Sequence, residues 1–269
     1  MEGGRERLGA SMSGQFGDFC GMNFLGIFLA IGCIVTTMVL EGTHPTALIN
    51  LPAFLVVFGA GFFACFVQFP LSDLLKALKH FFWLISPPRY NFQSQAELLA
   101  GMSTIARQQG PLALENSVAS ASDDFTRTGI QMIVDGVDKD ALYSLLQNAI
   151  ELEQERMEPC VRFYESMGGY LPTMGIIGAV LGLIHAMSLL DRPDLLGPSI
   201  AVAFVATIYG LVGANIILIP TGNRIRTALA EGAMFKYMTL EGLVSIAAAE
   251  NTLMLKRRIG VYTGNMNGD

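Results

Sequence analysis

The polar side chains well inside the long apolar stretches of this chain are few, and none is a carboxylate. They are Thr36, Thr37, Thr173, His185, Thr207, Tyr209 and Asn215. An ionisable group within a membrane is the usual mark of a proton or ion relay. His185 could titrate, but its position near the outer end of a stretch favours a hydrogen-bonded histidine over a relay. If the chain takes part in ion transport, a partner protein must supply the carboxylate.

The stretches that carry these residues predict an all-α integral membrane protein. The chain is 52% hydrophobic and 15% charged, against about 25% charged in soluble domains. A membrane helix needs about 20 apolar residues. We predict four such helices, at residues 22–40, 48–69, 169–190 and 199–220.

The basic residues predict the orientation of these helices. Lys and Arg number 2 before the first stretch, 8 between the second and third, and 6 after the fourth, which is 16 of the total of 17. Basic residues collect on the cytoplasmic side. We therefore predict that both termini and the long middle segment are cytoplasmic.

The predicted organisation has five segments. They are an N-terminal cytoplasmic or membrane-surface segment 1–21, transmembrane helices one and two at 22–69, a cytoplasmic helical domain 70–167, transmembrane helices three and four at 168–220, and a cytoplasmic helical tail 221–269.

The cytoplasmic segments read as helices. Ser72 is a plausible N-cap for "SDLLKALKHFFWLI", and Gly110 closes "AELLAGMSTIARQQG". The stretch that begins "DKDALYSLLQNAIELEQ" predicts a long helix that runs into the third apolar stretch. The tail predicts an amphipathic helix ending in a basic patch, which lies either on the cytoplasmic bundle or near anionic lipid.

Small residues recur at helical spacing in the third and fourth stretches. They are Gly175, Gly178, Ala179, Gly182, Ala206, Gly210 and Ala214. Small side chains let helix backbones approach closely in a membrane. The two helices could pack only on each other, or also on further proteins, and the number of small positions favours the second interpretation.

Two prolines, Pro172 and Pro220, lie at the predicted cytoplasmic ends of these helices. A proline removes a backbone donor and kinks or ends a helix. Their spacing alone leaves two interpretations open, simple termination and a hinge that passes movement out of the membrane.

Composition and motifs argue against enzyme, cofactor and nucleic-acid functions. The chain has no Walker-type phosphate loop and no HExxH motif, and it contains 3 histidines. Its 4 cysteines do not suggest a disulfide framework. A formal charge of −6 provides no basic surface for nucleic acid. We predict a protein that is not an enzyme and uses no cofactor or metal.

Several motifs together resemble the flagellar motor stator A subunit, the MotA/PomA family. They are "EGTHPTALINLPAFLVVFG", "ARQQGPLALEN", "MIVDGVDKD", "GGYLPTMGIIGAVLGLIHAM", "LGPSIAVAFVATIYGLVGANIILIP" and "LEGLVSIAAAEN". The resemblance implies a bacterial inner-membrane protein that assembles as a pentamer around two single-span B subunits. In that family an aspartate of the B subunit carries the ion, and the A subunit engages the C-terminal domain of the rotor's switch protein.

The resemblance also assigns roles to individual residues. Arg107 and Glu115 match the basic and acidic residues that contact the rotor. Pro172 and Pro220 match the prolines that couple ion flow to movement, and Thr207 matches the threonine facing the ion path.

Ala179 stands where sodium-driven members resemble one another in carrying threonine. A hard cation needs several oxygen ligands, and alanine supplies none from its side chain. The resemblance therefore implies a proton-driven stator.

Two alternatives and one departure accompany this interpretation. A related energiser of outer-membrane transport or of a defence system is the first alternative, although the transport type usually has three spans. A membrane scaffold without transport is the second. The start of 21 residues is longer than expected, which indicates either a misassigned start or an extension along the membrane surface.

Overall fold

The computed structural model describes residues 19–84, 86–121 and 123–264, and these residues form helices and connecting loops without a β-strand. The α-helices are α1 Phe19–Leu40, α2 Leu51–Gln68, α3 Leu71–His80, α4 Phe92–Gln109, α5 Glu115–Val118, α6 Asp124–Val134, α7 Lys139–Met187, α8 Pro193–Val212, α9 Ile219–Ala247 and α10 Thr252–Thr263. Most of the segment predicted at residues 1–21 lies outside the described residues.

Two short segments are π-helical. Leu55–Gly59 lies within α2, and Gly213–Leu218 joins α8 to α9. The second segment leaves residues 193–247 as one helix without a break. Single π-helical turns inside α-helices occur frequently at functional sites.

Three helices in the described part of the chain are long and apolar enough to cross a membrane. They are Leu51–Gln68, Lys139–Met187 and Pro193–Ala247. The apolar helix Leu25–Leu40 is shorter. The all-helical architecture agrees with the prediction, whereas the count of four spans stays a prediction.

The chain divides into two compact units. We call residues 16–87 and 158–227 the apolar unit, and residues 88–157 and 228–269 the polar unit. Residues 70–87, 158–167 and 221–227, assigned from the sequence to cytoplasmic segments, therefore belong to the same unit as the apolar helices. Where the membrane boundaries fall stays a prediction.

A core of large aliphatic side chains holds the polar unit together. Leu99, Leu114, Leu142, Leu243 and Leu255 are each fully buried in it. Burying a leucine side chain stabilises a fold by about 1.5–3 kcal/mol. Because Leu255 belongs to α10, the C-terminal helix lies on this bundle, as the first of its two predicted placements required.

A buried polar cluster fixes the register inside the same unit. The Gln95 amide donates to Thr126 Oγ1 at 2.7 Å and to Thr239 Oγ1 at 3.0 Å. Thr126 in turn donates to Asp123, whose other carboxylate oxygen accepts from the Thr126 backbone N–H and caps α6. The donors of Gln95 are thus satisfied, which burial of an amide requires.

Helix ends follow the sequence signals in one case and not in another. Gly110 has φ 86° and ends α4, as predicted. Helix α3 begins at Leu71 with Pro70 at its N-cap position, so the prediction of Ser72 as the cap is wrong. The fixed φ of proline favours a helix start at this point.

Neither Pro172 nor Pro220 ends a helix. Pro172 lies inside α7, and Pro220 is the second residue of α9, which continues to Ala247. The interpretation of simple termination is therefore wrong for both. Helix α7 is continuous from Lys139, which confirms that the long third helix runs into the third apolar stretch.

Candidate functional site

The predicted small-residue faces of α7 and α8 meet with their backbones in contact. A β carbon added at Gly175 would lie 3.0 Å from Ala206 O and 3.2 Å from Thr207 Cα, and one at Gly182 would lie 2.9 Å from Ala203 Cα. Only glycine allows two backbones so close. The glycine spacing read from the sequence therefore does produce a close helix pair.

Thr207 and Ala179 lie at neighbouring levels of this pair. Thr207 Cα faces Gly175, and Ala179 lies one helical turn beyond Gly175 on α7. Both side chains are half-buried. Within the described part of the chain, the Thr207 hydroxyl makes no hydrogen bond. This hydroxyl can therefore form a hydrogen bond with a group outside the described residues.

The tightest contact of the pair lies beside Pro172. A β carbon at Gly210 would lie 2.5 Å from Leu171 O and 3.1 Å from Pro172 Cα. One at Gly213 would lie 2.7 Å from Leu171 Cδ2 and 2.8 Å from Phe58 Cζ. Phe58 belongs to the first π-helical segment and Gly213 to the second. The two segments therefore lie against each other beside Leu171, the residue before Pro172.

The π-helical segment also explains how the chain accommodates Pro220. The Ile219 N–H bonds to Ala214 O, five residues back, so the hydrogen-bond register has already shifted where the proline follows. The Thr221 hydroxyl donates to Ile217 O at 2.6 Å. A helix with a register shift and a missing donor has a weakened backbone ladder at this point.

Tyr209 connects α8 to the start of α2. Its hydroxyl donates to Leu48 O and accepts from the Asn50 N–H at 3.1 Å. Its ring packs edge to face on Phe54 with centroids 6.4 Å apart. The sequence identified Tyr209 only as a polar residue within an apolar stretch. Asn50, whose side chain caps α2 by accepting from the Ala53 N–H at 2.9 Å, was the signal for a structured turn there.

His185 lines a cavity of about 420 Å³ in the apolar unit, together with Asn50, Ser199 and Ala206. Its ring makes no hydrogen bond to the described residues. The hydrogen-bonded state of His185 therefore stays a prediction.

Arg107 and Glu115 lie at the two ends of one bend in the polar unit. Arg107 is in the last turn of α4, and Glu115 is the first residue of α5, with the 3₁₀ helix Pro111–Leu114 between them. Both side chains are exposed. The Arg107 guanidinium donates to Asn251 Oδ1 at 3.3 Å, and Asn251 also accepts from the Leu253 N–H as the N-cap of α10.

That contact with Asn251 was not foreseen from the sequence, because it joins residues 144 positions apart. In the described ranges, no group of three or more His, Cys, Asp or Glu side chains is arranged to hold a metal ion.

Comparison with known proteins matches almost the whole described chain. Residues 24–110 match the motility protein A N-terminal family, and residues 117–235 match the MotA/TolQ/ExbB proton channel family. Motility protein A of Helicobacter pylori is 32% identical over 238 residues, covering 88% of this chain and 93% of that protein. Motility protein A of Bacillus subtilis is 27% identical over 241 residues, covering 89% of both.

Two solved structures are similar in fold. The C. jejuni MotAB structure aligns with a TM-score of 0.85 and 27% identity, covering 91% of this chain and 95% of that one. The flagellar MotAB stator complex of Bacillus subtilis aligns with a TM-score of 0.81 and 28% identity, covering 87% and 92%.

Proposed function

Because the chain belongs to the motility protein A family of flagellar stator subunits, we propose that it couples inward proton flow to torque on the rotor. The observation that carries this proposal is the 32% identity to a motility protein A along 88% of the chain. Together with the two stator structures, it does not favour the alternative of an energiser for outer-membrane transport or defence. The protein is a motor component and not an enzyme.

The ion carrier comes from a partner subunit. None of the predicted spans contains Asp or Glu, and a single-span B subunit with an aspartate in its helix would provide the missing group. The half-buried Thr207 and Ala179 would face that helix, where the free hydroxyl of Thr207 can hydrogen-bond to a protonated carboxylate or to water.

A proton fits this lining better than sodium. A proton sits covalently on the partner's carboxylate and needs no shell of oxygen ligands. Sodium needs several oxygens, and Ala179 provides no side-chain oxygen.

The contact of Leu171 and Pro172 with Gly210 is where movement would pass from one helix to the other. Protonation of the carboxylate removes a charge beside Thr207, and the direct backbone contact between α7 and α8 would pass the resulting displacement of one helix to the other. Pro172 and Pro220 each interrupt the hydrogen-bond ladder next to this contact, which makes the helices easier to bend there.

Arg107 and Glu115 would meet the C-terminal domain of the rotor's switch protein. Exposed charges at the rim of an interface guide encounter and register. The complete stator would be a pentamer of this chain around two B subunits in the bacterial inner membrane, crossing it four times with both termini cytoplasmic.

Expression of the chain with its B subunit in a stator-less motile strain tests the proposal. We expect swimming to be restored and its speed to persist when sodium is removed at fixed proton motive force. Speed that collapses without sodium would overturn the proton assignment, and Ala179→Thr is then the first substitution to examine. Failure to restore swimming with any matched B subunit would overturn the stator role.

A further inference from the structure

A cleft of about 600 Å³ in the apolar unit is lined by both polar and apolar residues. The polar lining includes Asn223 and Arg224, which follow Pro220 on α9. The apolar lining includes Ile27 and Ala30 of α1 and Ile216 of the π-helical segment. A cleft of this composition suits a ligand with a charged head and an apolar chain.

Arg224 has a donor that the described protein leaves unused. Its Nε is buried without a hydrogen-bond partner, and its guanidinium makes no ion pair with a described residue. A buried donor left unpaired costs about 1–3 kcal/mol. Arg226, two residues on, instead pairs with Glu165 at 2.6 Å. The unpaired arginine therefore calls for an anion from outside the chain.

The chemistry of that anion follows from the donors. A guanidinium matches the oxygens of a phosphate group with two parallel hydrogen bonds. The exposed amide of Asn223 adds a donor, since its side chain makes no hydrogen bond to the described residues. The hydroxyl of Thr227, also in the cleft, is already engaged with Asn223 O at 3.0 Å.

We propose that this cleft binds one anionic phospholipid, with its phosphate on Arg224 and Asn223 and an acyl chain along Ile27, Ala30 and Ile216. A carboxylate from a second copy of the chain would engage only the polar lining of the cleft, whereas a phospholipid would engage the polar and the apolar lining together. The assignment rests on the proposed membrane placement, in which the end of the fourth span lies at the level of the cytoplasmic headgroups.

The test compares the purified complex with its B subunit in phosphatidylcholine nanodiscs with and without phosphatidylglycerol. A ligand that binds the folded state raises the temperature of unfolding. We expect phosphatidylglycerol to raise it for the wild type and for the control Arg226→Gln, and the shift to be lost in Arg224→Gln. An equal shift in Arg224→Gln overturns the proposal.

Two further arms separate the other occupants. Inorganic phosphate added to phosphatidylcholine discs should give no shift, and a shift equal to that of the lipid would mean a free-phosphate site. If Arg224→Gln lowers stability equally with and without phosphatidylglycerol, a neighbouring subunit holds the arginine and the lipid assignment is wrong.

Should that variant fail to assemble, native mass spectrometry of the wild type must still show retained phosphatidylglycerol. The readout is stability, so it is independent of whether the complex generates torque.

Discussion

The core of the polar unit and the α7–α8 pair of the apolar unit pack by different means. The polar unit buries large aliphatic side chains such as Leu99 and Leu142, and two threonines accept hydrogen bonds from its buried amide Gln95. The α7–α8 pair of the apolar unit instead brings two backbones together at glycines such as Gly175 and Gly210. Helices of this unit leave large side chains such as Val67 and Phe204 exposed, although the unit also buries Phe163 and Tyr164. Where the surroundings are apolar, burying a leucine gains little, so close backbone packing must hold the helices together.

This difference in packing has a functional consequence. A core of interlocking side chains has one good arrangement, whereas helices that touch through glycine offer few side chains that resist movement. The residues assigned to ion passage and coupling lie in the apolar unit, and those assigned to rotor contact lie on the polar unit. Substitutions in the core of the polar unit should therefore mainly lower stability, whereas substitutions at the ion-path and coupling residues of the apolar unit should mainly lower torque.

The largest loss of stability is expected in the polar unit, from Leu99→Ala. Leu99 is fully buried, and removing its side chain leaves a cavity that costs about 2–5 kcal/mol. The free energy of unfolding of the purified complex measures this. A change as small as that of the exposed control Leu112→Ala would show that Leu99 does not contribute to a tightly packed core.

In the apolar unit, adding a single methyl group should lower the free energy of unfolding, as removing three carbons does in the polar unit. Gly210→Ala would place its β carbon 2.5 Å from Leu171 O, so α7 and α8 must separate, at about 1–3 kcal/mol. Swimming should fall sharply. Gly59→Ala is the matched control, since a β carbon there meets nothing within 4 Å. Equal stability and swimming of the two variants would show that the close backbone contact at Gly210 does not hold α7 and α8 together.

Pro172→Ala should change torque without loss of stability. Alanine restores a backbone donor inside α7, and it is better than proline in a helix interior by up to about 3 kcal/mol. We expect the temperature of unfolding to stay level or rise, while motor torque, measured on tethered cells, falls. Lower expression with unchanged torque per motor would assign the proline a structural role only.

The smallest effect on stability is expected at the surface of the polar unit. Reversing Arg107 and Glu115 together should alter the free energy of unfolding by no more than about 0.5 kcal/mol, because both are exposed. Swimming should nevertheless weaken. Arg156→Glu, at another exposed arginine of the same unit, serves as the control. A double reversal that swims normally with an unmodified rotor would refute the rotor assignment.

The local features of the fold were predictable from the sequence. Gly110 ends α4 because only a glycine readily takes its positive φ, and the spacing of Gly175, Gly178 and Gly182 places three small residues on one helix face. The apolar residues after Lys139 recur at helical spacing, which predicted that the helix runs into the third apolar stretch. Each of these follows from residues within a few turns of one another.

The features that sequence reasoning missed depend on distant contacts. Pro172 and Pro220 carry the local signal of a helix end, yet packing against Gly210 and the register shift at Gly213–Leu218 keep both helices continuous. Arg226 pairs with Glu165, whereas Arg224, two residues before it, makes no ion pair with a described residue. The spacing of residues in the sequence does not predict which distant residues come into contact.

The link between Tyr209 and Leu48 sets an order of events during synthesis. The two residues are 161 positions apart, and a ribosome adds about 5–20 residues per second, so the carbonyl of Leu48 waits roughly 8–32 s for its partner. During that interval the turn before α2 has been synthesised but lacks its hydrogen bond from the Tyr209 hydroxyl. The link between α2 and α8 through Tyr209 can therefore form only after the fourth apolar stretch has been synthesised, and it is among the last long-range contacts of the apolar unit to be made.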